Sequence, residues 1–454
     1  MLTPLLLFLA SSLPPGQIHA AVGAEADPKQ TYALYLPSYY DPAKAWPILY
    51  GLDAGARGKL VVETYRDAAE KHGWIVAASN VSRNGPWTVI REATEAMVAD
   101  TRAHLNVDPK RVYFTGFSGG ARASFDYASR HPGTVAGIVA AGMGLPDDRD
   151  AWSTKVPVFF VAGDEDFNYR PARDAAEALV SAGGISRFRV FAGVHAWFPP
   201  IVAMQAIEWH EALAMRSGVA PKDPKKIETL WATALGRAKE AEKLDDVREA
   251  QAAYAAAAQA FFGLRDTAEA TAAARRLERS QAFRTRRTFE REIDRREDRF
   301  VAELRRQFGA KAPWSADREV RAKRIAAIGV PELLRTWREK RGTPEAESAA
   351  RLLTVAQSSA RAQGTQALLD GDAKRAIVIL ELAVAIAPQD ALAQYNLACA
   401  WASLGKVDEG IRALRASAEA GFADAAMAET DADLAPLRGT PEFAGLLDRM
   451  RANR

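Results

Sequence analysis

Seven short apolar runs mark the first half of the chain: YALYLP (32–37), PILYGLD (47–53), WIVAASN (74–80), VYFTGF (112–117), GIVAAGMG (137–144), VPVFFVAG (156–163) and RFRVFAG (187–193). Each carries Val, Ile, Phe or Tyr and has a turn-forming residue at or near its end. Most are apolar on consecutive positions, the pattern of strands buried on both faces. The first alternates more cleanly and predicts an antiparallel edge strand. Between the runs, apolar residues recur with helical period near 59–72, 91–105, 119–131, 171–183 and 199–216. Strands alternating with helices predict an α/β unit, a mostly parallel sheet covered by helices, over 26–216.

The pattern changes after SGVAPKDPKK (217–226), read here as a linker. No further strand pattern follows, and Ala, Leu, Arg and Glu take over with helical period. The reading is an all-α region: degenerate helices over 227–356, two repeats over 357–424 and a helical cap over 425–454. The repeats show as a 34-residue spacing, with Gly371, Leu380 and Ala383 matched by Gly405, Leu414 and Ser417. That period belongs to helix–turn–helix units that must stack to bury their faces. Gly364, Ala376, Leu380, Ala383 and Pro388 fall at the signature positions of the tetratricopeptide pattern. The second copy departs from it at Ala398 and Gly410. A generic stack of helical hairpins is the alternative, and 227–263 reads as a more decayed copy.

A chain of 454 residues exceeds one ordinary core, and 48% hydrophobic with 26% charged residues fits a globular protein. The net charge of +3 gives no global attraction to nucleic acid. The charge-rich stretch 274–306 intersperses acids with its arginines, so it reads as a solvated helix face with i,i+4 pairs. One cysteine, Cys399, allows no internal disulfide and reads as a small core residue. Residues 1–24 open with a short apolar run, followed by prolines and small residues. They read as a signal peptide with Ala20 or Ala24 as cleavage points, an expectation of a periplasmic or secreted protein. An uncleaved apolar tail is the alternative, since the run lacks an Arg or Lys before it. No segment reads as a transmembrane helix.

Chemistry concentrates at Gly116-Phe117-Ser118-Gly119-Gly120, a G-x-S-x-G match between an apolar strand and a helical run. The motif needs that context: a serine on a strained strand-to-helix turn, projecting above the sheet edge. A serine hydroxyl needs a base. Of six histidines, only His195 lies in a loop after a late strand; the others end or sit in helices or lie in the leader. The acid that would orient it should follow the preceding strand, where VPVFFVAGDEDFNY offers Asp164, Glu165 and Asp166. An oxyanion hole needs two backbone N–H groups, here from Gly119 and from the loop after an early strand, where Ala54 is the candidate. That loop's GARGKL is not a phosphate loop: it lacks the first glycine, and Leu60 stands where Ser or Thr is required. Trp87, Phe117 and Trp197 are candidates for lining the mouth, with core packing as the alternative.

These stretches, GFSGGARAS, AGDEDFN and GVHAW together with ASNVSRNGPW (78–87), resemble an α/β-hydrolase of the polyhydroxybutyrate depolymerase, feruloyl esterase and acetylxylan esterase-like group. The resemblance covers about 30–215. It implies hydrolysis of a carboxylic ester through an acyl-serine, with no metal or organic cofactor. It picks Asp166 as the acid, two residues beyond Gly163 and one more, leaving Asp164 as runner-up. The group's usual His-Gly at the oxyanion loop appears here as Asp53-Ala54. No insertion long enough for a lipase lid is visible, which disfavours long-chain lipids. The expected ligand is thus a small or polymeric ester, with the repeats as a surface for a protein partner. Two other readings stay open: a catalytically weak scaffold working through its repeats, and a peptidase using the same machinery.

Overall fold

The computed structural model describes residues 13–146, 155–309 and 314–453. It divides into two compact units, one reaching Thr288 and one starting at Phe289.

Among the described residues the first unit is built on eight strands: β1 (Ile18–Ala24), β2 (Asp27–Tyr35), β3 (Trp46–Asp53), β4 (Ile75–Ser79), β5 (Val107–Phe117), β6 (Gly137–Ala141), β7 (Val158–Gly163) and β8 (Ser186–Phe191). Their order across the sheet is β1-β2-β4-β3-β5-β6-β7-β8. All pairs from β4 to β8 are parallel, while β2 runs antiparallel to β4 and β1 antiparallel to β2. Five helices follow the strands: α1 (Gly58–His72), α2 (Trp87–His104), α3 (Gly119–Arg130), α4 (Tyr169–Ser181) and α5 (Pro200–Arg216). The consecutive apolar residues of each strand split between two cores, as side chains that alternate across a sheet must. Leu49, Val139, Phe159 and Val161 join one core with α1 and α5; Ile48, Tyr50, Phe114, Ile138 and Phe160 join the other with α2, α3 and α4.

Two features differ from the sequence reading. The antiparallel strand expected at 32–37 is second from the edge, because Ile18–Ala24 pairs outside it, with Ile18 opposite Tyr35 and Val22 opposite Tyr32. Those residues were expected in a leader; of the leader's apolar run, Leu2 to Leu13, all but Leu13 lies outside the described residues. The second difference concerns the boundary near 217. The strands do end there, yet the compact unit continues to Thr288. Within the expected linker, Asp223 caps α6 (Pro224–Lys243) by accepting from the Lys225 and Lys226 N–H groups, with Pro224 in the first turn. Helix α6, α7 (Val247–Phe261) and α8 (Ala268–Glu278) pack Leu230, Trp231, Tyr254 and Phe261 into the same core as α5.

An ion cluster pins that attachment. Glu208 of α5 meets Arg237 of α6 at 2.6 Å, Lys71 of α1 at 3.1 Å and His72 at 3.6 Å. Burial alone would lift the Glu208 pKa; the neighbouring His72, Arg237 and Lys71 outweigh it and hold the carboxyl down to about 2. A carboxylate depressed in the folded state stabilises above its unfolded pKa and loses that contribution as pH falls through the folded one. The first unit should therefore shed on the order of 3 kcal/mol as pH falls from about 4.5 to 2. Denaturant midpoints across that window check this: Glu208→Gln should be less stable at neutral pH and flatter below it.

Among the described residues the regular elements of the second unit are all helical. The unit holds α9 (Gln281–Phe308) from Phe289 on, α10 (Arg318–Ala327), α11 (Val330–Glu339), α12 (Pro344–Leu369), α13 (Ala373–Ile386), α14 (Ala391–Ser403), α15 (Val407–Glu419), α16 (Ala425–Thr430), a 3-10 turn at Ala432–Leu437 and α17 (Pro441–Ala452). Helices α12 and α13, and then α14 and α15, form two hairpins. Each turns on a left-handed glycine, Gly371 at φ 75° and Gly405 at φ 69°. The positions repeating every 34 residues are the packing ones: Leu380, Ala383, Leu414 and Ser417 are fully buried. Gly364 lies so close to Leu380 that a Cβ would sit 2.5 Å from its Cγ. The charged face of α9 carries in-helix pairs such as Glu292–Arg296 at 3.2 Å. Among the described residues no helix is long and apolar enough to cross a membrane.

Candidate active site

The parallel strands end on one edge, and the singled-out serine stands there. Strand β5 stops at Phe117, α3 starts at Gly119, and Ser118 between them adopts φ 55°, ψ −117°. A non-glycine residue at positive φ is strained and persists only when its surroundings hold it. Here the Ser118 N–H donates to Ala141 O at 2.8 Å, and its own carbonyl accepts from Ala121 and Arg122 in the first turn of α3. The flanking glycines are steric necessities. A Cβ on Gly116 would overlap the backbone of Gly120 and Ala121, and one on Gly120 would overlap the Leu52 carbonyl at the end of β3. The G-x-S-x-G spacing is thus what lets a helix start over two strand ends at once.

The histidine comes from the loop after β8. His195 Nδ1 lies 2.8 Å from Asp166 Oδ1, and the Asp166 side chain is fully buried after β7. With Nδ1 so engaged, Nε2 is the nitrogen left for proton transfer. The Asn168 N–H also donates to Asp166 Oδ1, at 2.8 Å. Asp164 has a different place: its Oδ1 accepts from the Gly193 N–H at 2.9 Å, and its N–H donates to Phe191 O. It ties down the base of the histidine loop. The imidazole lies between Phe117 and Phe167, with ring centroids 4.5 and 4.3 Å away. Gly142, at the end of β6, makes room: a Cβ there would meet His195 Cε1 and Phe117 Cε2 at 2.9 Å each. Among the described residues no hydrogen bond joins the Ser118 hydroxyl to His195; in unliganded sites such contacts are often long and tighten when substrate arrives.

The two oxyanion candidates are open. Neither the Ala54 nor the Gly119 N–H has an acceptor among the described residues. Their neighbourhood holds a residue the sequence reading passed over. Asn84 donates its N–H to Ala54 O at 2.9 Å, and its carboxamide lies against Gly119, where a Cβ would overlap Oδ1. Phe167 was passed over too. Both sit inside stretches quoted for the resemblance, which is the only signal that marks them.

The three aromatics divide. Trp87 opens α2 and is 39% exposed, with the Arg91 guanidinium 5.3 Å over its ring. Phe117 is 5% exposed and supports the imidazole. Trp197 is half-buried, and its indole N–H donates to Asp53 Oδ2 at 2.7 Å. Elsewhere, Cys399, Asp431 and Asp433 bring potential ligand atoms within 4.8 Å of one another. Tyr395 already donates to Asp431 at 2.7 Å, and burial, then the acids' charge, pushes the Cys399 thiol far up. Cys399 is buried, Asp431 half-buried and Asp433 exposed, so the group is a hydrogen-bonded cluster at the edge of the core.

Compared with curated proteins, the sequence matches none. Among solved structures it is similar to a thermostable esterase, with 20% identity over 40% of this chain and 58% of that chain at TM-score 0.34. A ferulic acid esterase gives 19% identity over 39% of this chain and 89% of that one, at TM-score 0.33. A hyperthermophilic esterase from the archaeon Pyrobaculum calidifontis gives 15% over 45% and 88%, at 0.34. A family model that matches is that of the dienelactone hydrolase family, over residues 65–217. The strand order, the elbow and this match together make the first unit an α/β-hydrolase fold, followed by an all-α unit.

Proposed function

We propose that the first unit is a serine hydrolase acting on carboxylic esters. The observation that carries this is the Asp166–His195 pair at 2.8 Å, seated beside a serine at φ 55°. The match to a hydrolase family over residues 65–217 supports it. In this reading His195 Nε2 takes the Ser118 proton as Oγ attacks the ester carbonyl. The oxyanion that forms is met by the Ala54 and Gly119 N–H groups, at the start of a helix whose dipole favours negative charge. The protonated imidazole, steadied by Asp166, gives its proton to the departing alcohol. Water then repeats the sequence and releases the acid from Ser118.

Hydrolysis of a short-chain nitrophenyl ester tests the assignment, with the two acids compared. Asp166→Asn should lower kcat about 10³–10⁴-fold by mis-setting the imidazole tautomer, while Asp164→Asn should cost about tenfold or less. The reverse order would move the acid to Asp164.

The reading extends to the rest of the chain. The α12–α15 hairpins act as tetratricopeptide-like repeats that bind a protein partner. The protein is periplasmic or secreted; a cut at the expected Ala20 or Ala24 would fall within or at the end of β1, and one N-terminal to Ile18 would keep it, so mass measurement of the exported chain checks the position.

A further inference from the structure

The loop that offers the Ala54 N–H and the loop that carries His195 are 141 residues apart in the chain. One side chain joins them. Asp53, the last residue of β3, is 1% exposed. Its Oδ1 accepts from the Gly55 N–H at 2.7 Å, the Arg57 N–H at 3.2 Å and Arg57 Nε at 2.9 Å. Its Oδ2 accepts from Arg57 Nη2 at 2.9 Å and from the Trp197 indole N–H at 2.7 Å. The first four bonds fold the oxyanion loop around the carboxylate. They also hold Ala56 at φ 59°, another non-glycine residue at positive φ. The fifth reaches two residues beyond His195. Burial would raise the pKa of Asp53, but bonds from Arg57, Trp197 and Gly55, with the charge of Arg57, keep it below the usual carboxylate range. The carboxylate is therefore charged wherever the enzyme is folded at neutral pH.

The geometry points to Asp53 as a positioning residue that sets the distance between the oxyanion donor and the general base. This rests on the roles proposed for Ala54 and His195. The physical case is that the two groups act at the two ends of one forming Oγ–C–O unit, His195 on the Ser118 Oγ proton and the Ala54 N–H on the carbonyl oxygen, so an error in their separation costs rate directly. Asp166 fixes which way the imidazole faces, but Asp166 and His195 sit on neighbouring loops and could drift together. Among the described residues the Trp197–Asp53 bond is the hydrogen bond that refers the histidine loop to the end of β3. An aspartate is suited to this because it can accept from two directions at once; a histidine there could not take five N–H donors.

Four proteins decide it: the wild type, Trp197→Phe, Asp53→Asn and the double variant, each with Ser118 intact. Two readouts are needed: steady-state hydrolysis of a nitrophenyl ester and amide hydrogen exchange of segments 54–58 and 192–198. Trp197→Phe removes a single N–H from the set. It should loosen 192–198 alone and lower kcat about tenfold with KM within about twofold. Asp53→Asn should loosen both segments and lower kcat about 100-fold, and adding Trp197→Phe should cost little more, because the bond is already lost. Independent, multiplying losses overturn the proposal, as does a Trp197→Phe protein whose exchange and kcat match the wild type. If Asp53→Asn fails to fold, Trp197→Phe still decides. A Ser118→Ala control separates the two claims. Retained hydrolysis there would remove the hydrolase reading, whereas the exchange pattern would still confirm or refute the coupling of the loops.

Discussion

Replacing Ser118 by Ala should reduce hydrolysis of a short-chain nitrophenyl ester by at least about 10⁴-fold while leaving the thermal midpoint where it is. The size follows from the role. Ser118 supplies the only nucleophilic atom on the elbow, and neither His195 nor the oxyanion donors can form the acyl intermediate without it. The fold should survive because the hydroxyl makes no hydrogen bond among the described residues. Alanine also meets the same backbone strain at φ 55° as serine does. Burst kinetics with the wild type, and their absence in the variant, would show that the acyl group resides on this residue. Equal rates in the two proteins would sink Ser118 as the catalyst and turn attention to what the helical hairpins bind.

The second large effect is expected at Gly120→Ala. The added methyl would overlap the Leu52 carbonyl, backbone against backbone, so no side chain can rotate away. Either α3 lifts from β3 or the end of β3 moves; both cost packing, on the order of 3 kcal/mol. The same displacement shifts Asp53 and Ala54, so hydrolysis should be lost even where the variant is fully folded. Gly133→Ala is the matched control. It has a positive φ of 80° with nothing within 4 Å, so it should cost about 1 kcal/mol through strain alone and leave the rate unchanged. Denaturant titration and the ester assay, run on both variants, separate steric conflict at the elbow from the general penalty of a left-handed residue.

The parts of the fold legible in the sequence are those set by local pattern. WIVAASN and VPVFFVAG, apolar on consecutive positions, read as strands buried on both faces, and they became β4 and β7. The elbow was legible because the G-x-S-x-G spacing falls between a strand pattern and a helix pattern; of its glycines, Gly116 answers to a local demand, while Gly119 and Gly120 answer to Asn84 and Leu52, far off in the chain. His195 stood out because the other histidines fall in or at the ends of helices, or in the N-terminal segment. What stayed hidden depends on distant partners. Strand β1 is mostly polar or small and half-exposed, so nothing in IHAAVGA distinguishes it from the tail of a leader until Tyr35 and Tyr32 pair with it. Helix α6 joined the first unit through contacts with α5, Leu230 and Trp231 in the shared core and Arg237 on Glu208, whose partners no periodicity records. Asp53 was legible only as a departure from a motif; its five donors come from a tight turn and from a tryptophan 144 residues away.

Strand β1 has one more consequence. By covering the outer side of β2, it keeps the main-chain groups of Thr31 to Tyr35 out of water and out of reach of other chains. A sheet that ended at β2 would present a regular, apolar margin to any second molecule, the template on which proteins associate edge to edge. The strand that takes its place is short, irregular in register at two points and lined by alanine and glycine. It is a poor template. Seven unremarkable residues at the margin thus protect the molecule against self-aggregation, and trimming the chain to residue 25 would remove that protection along with them.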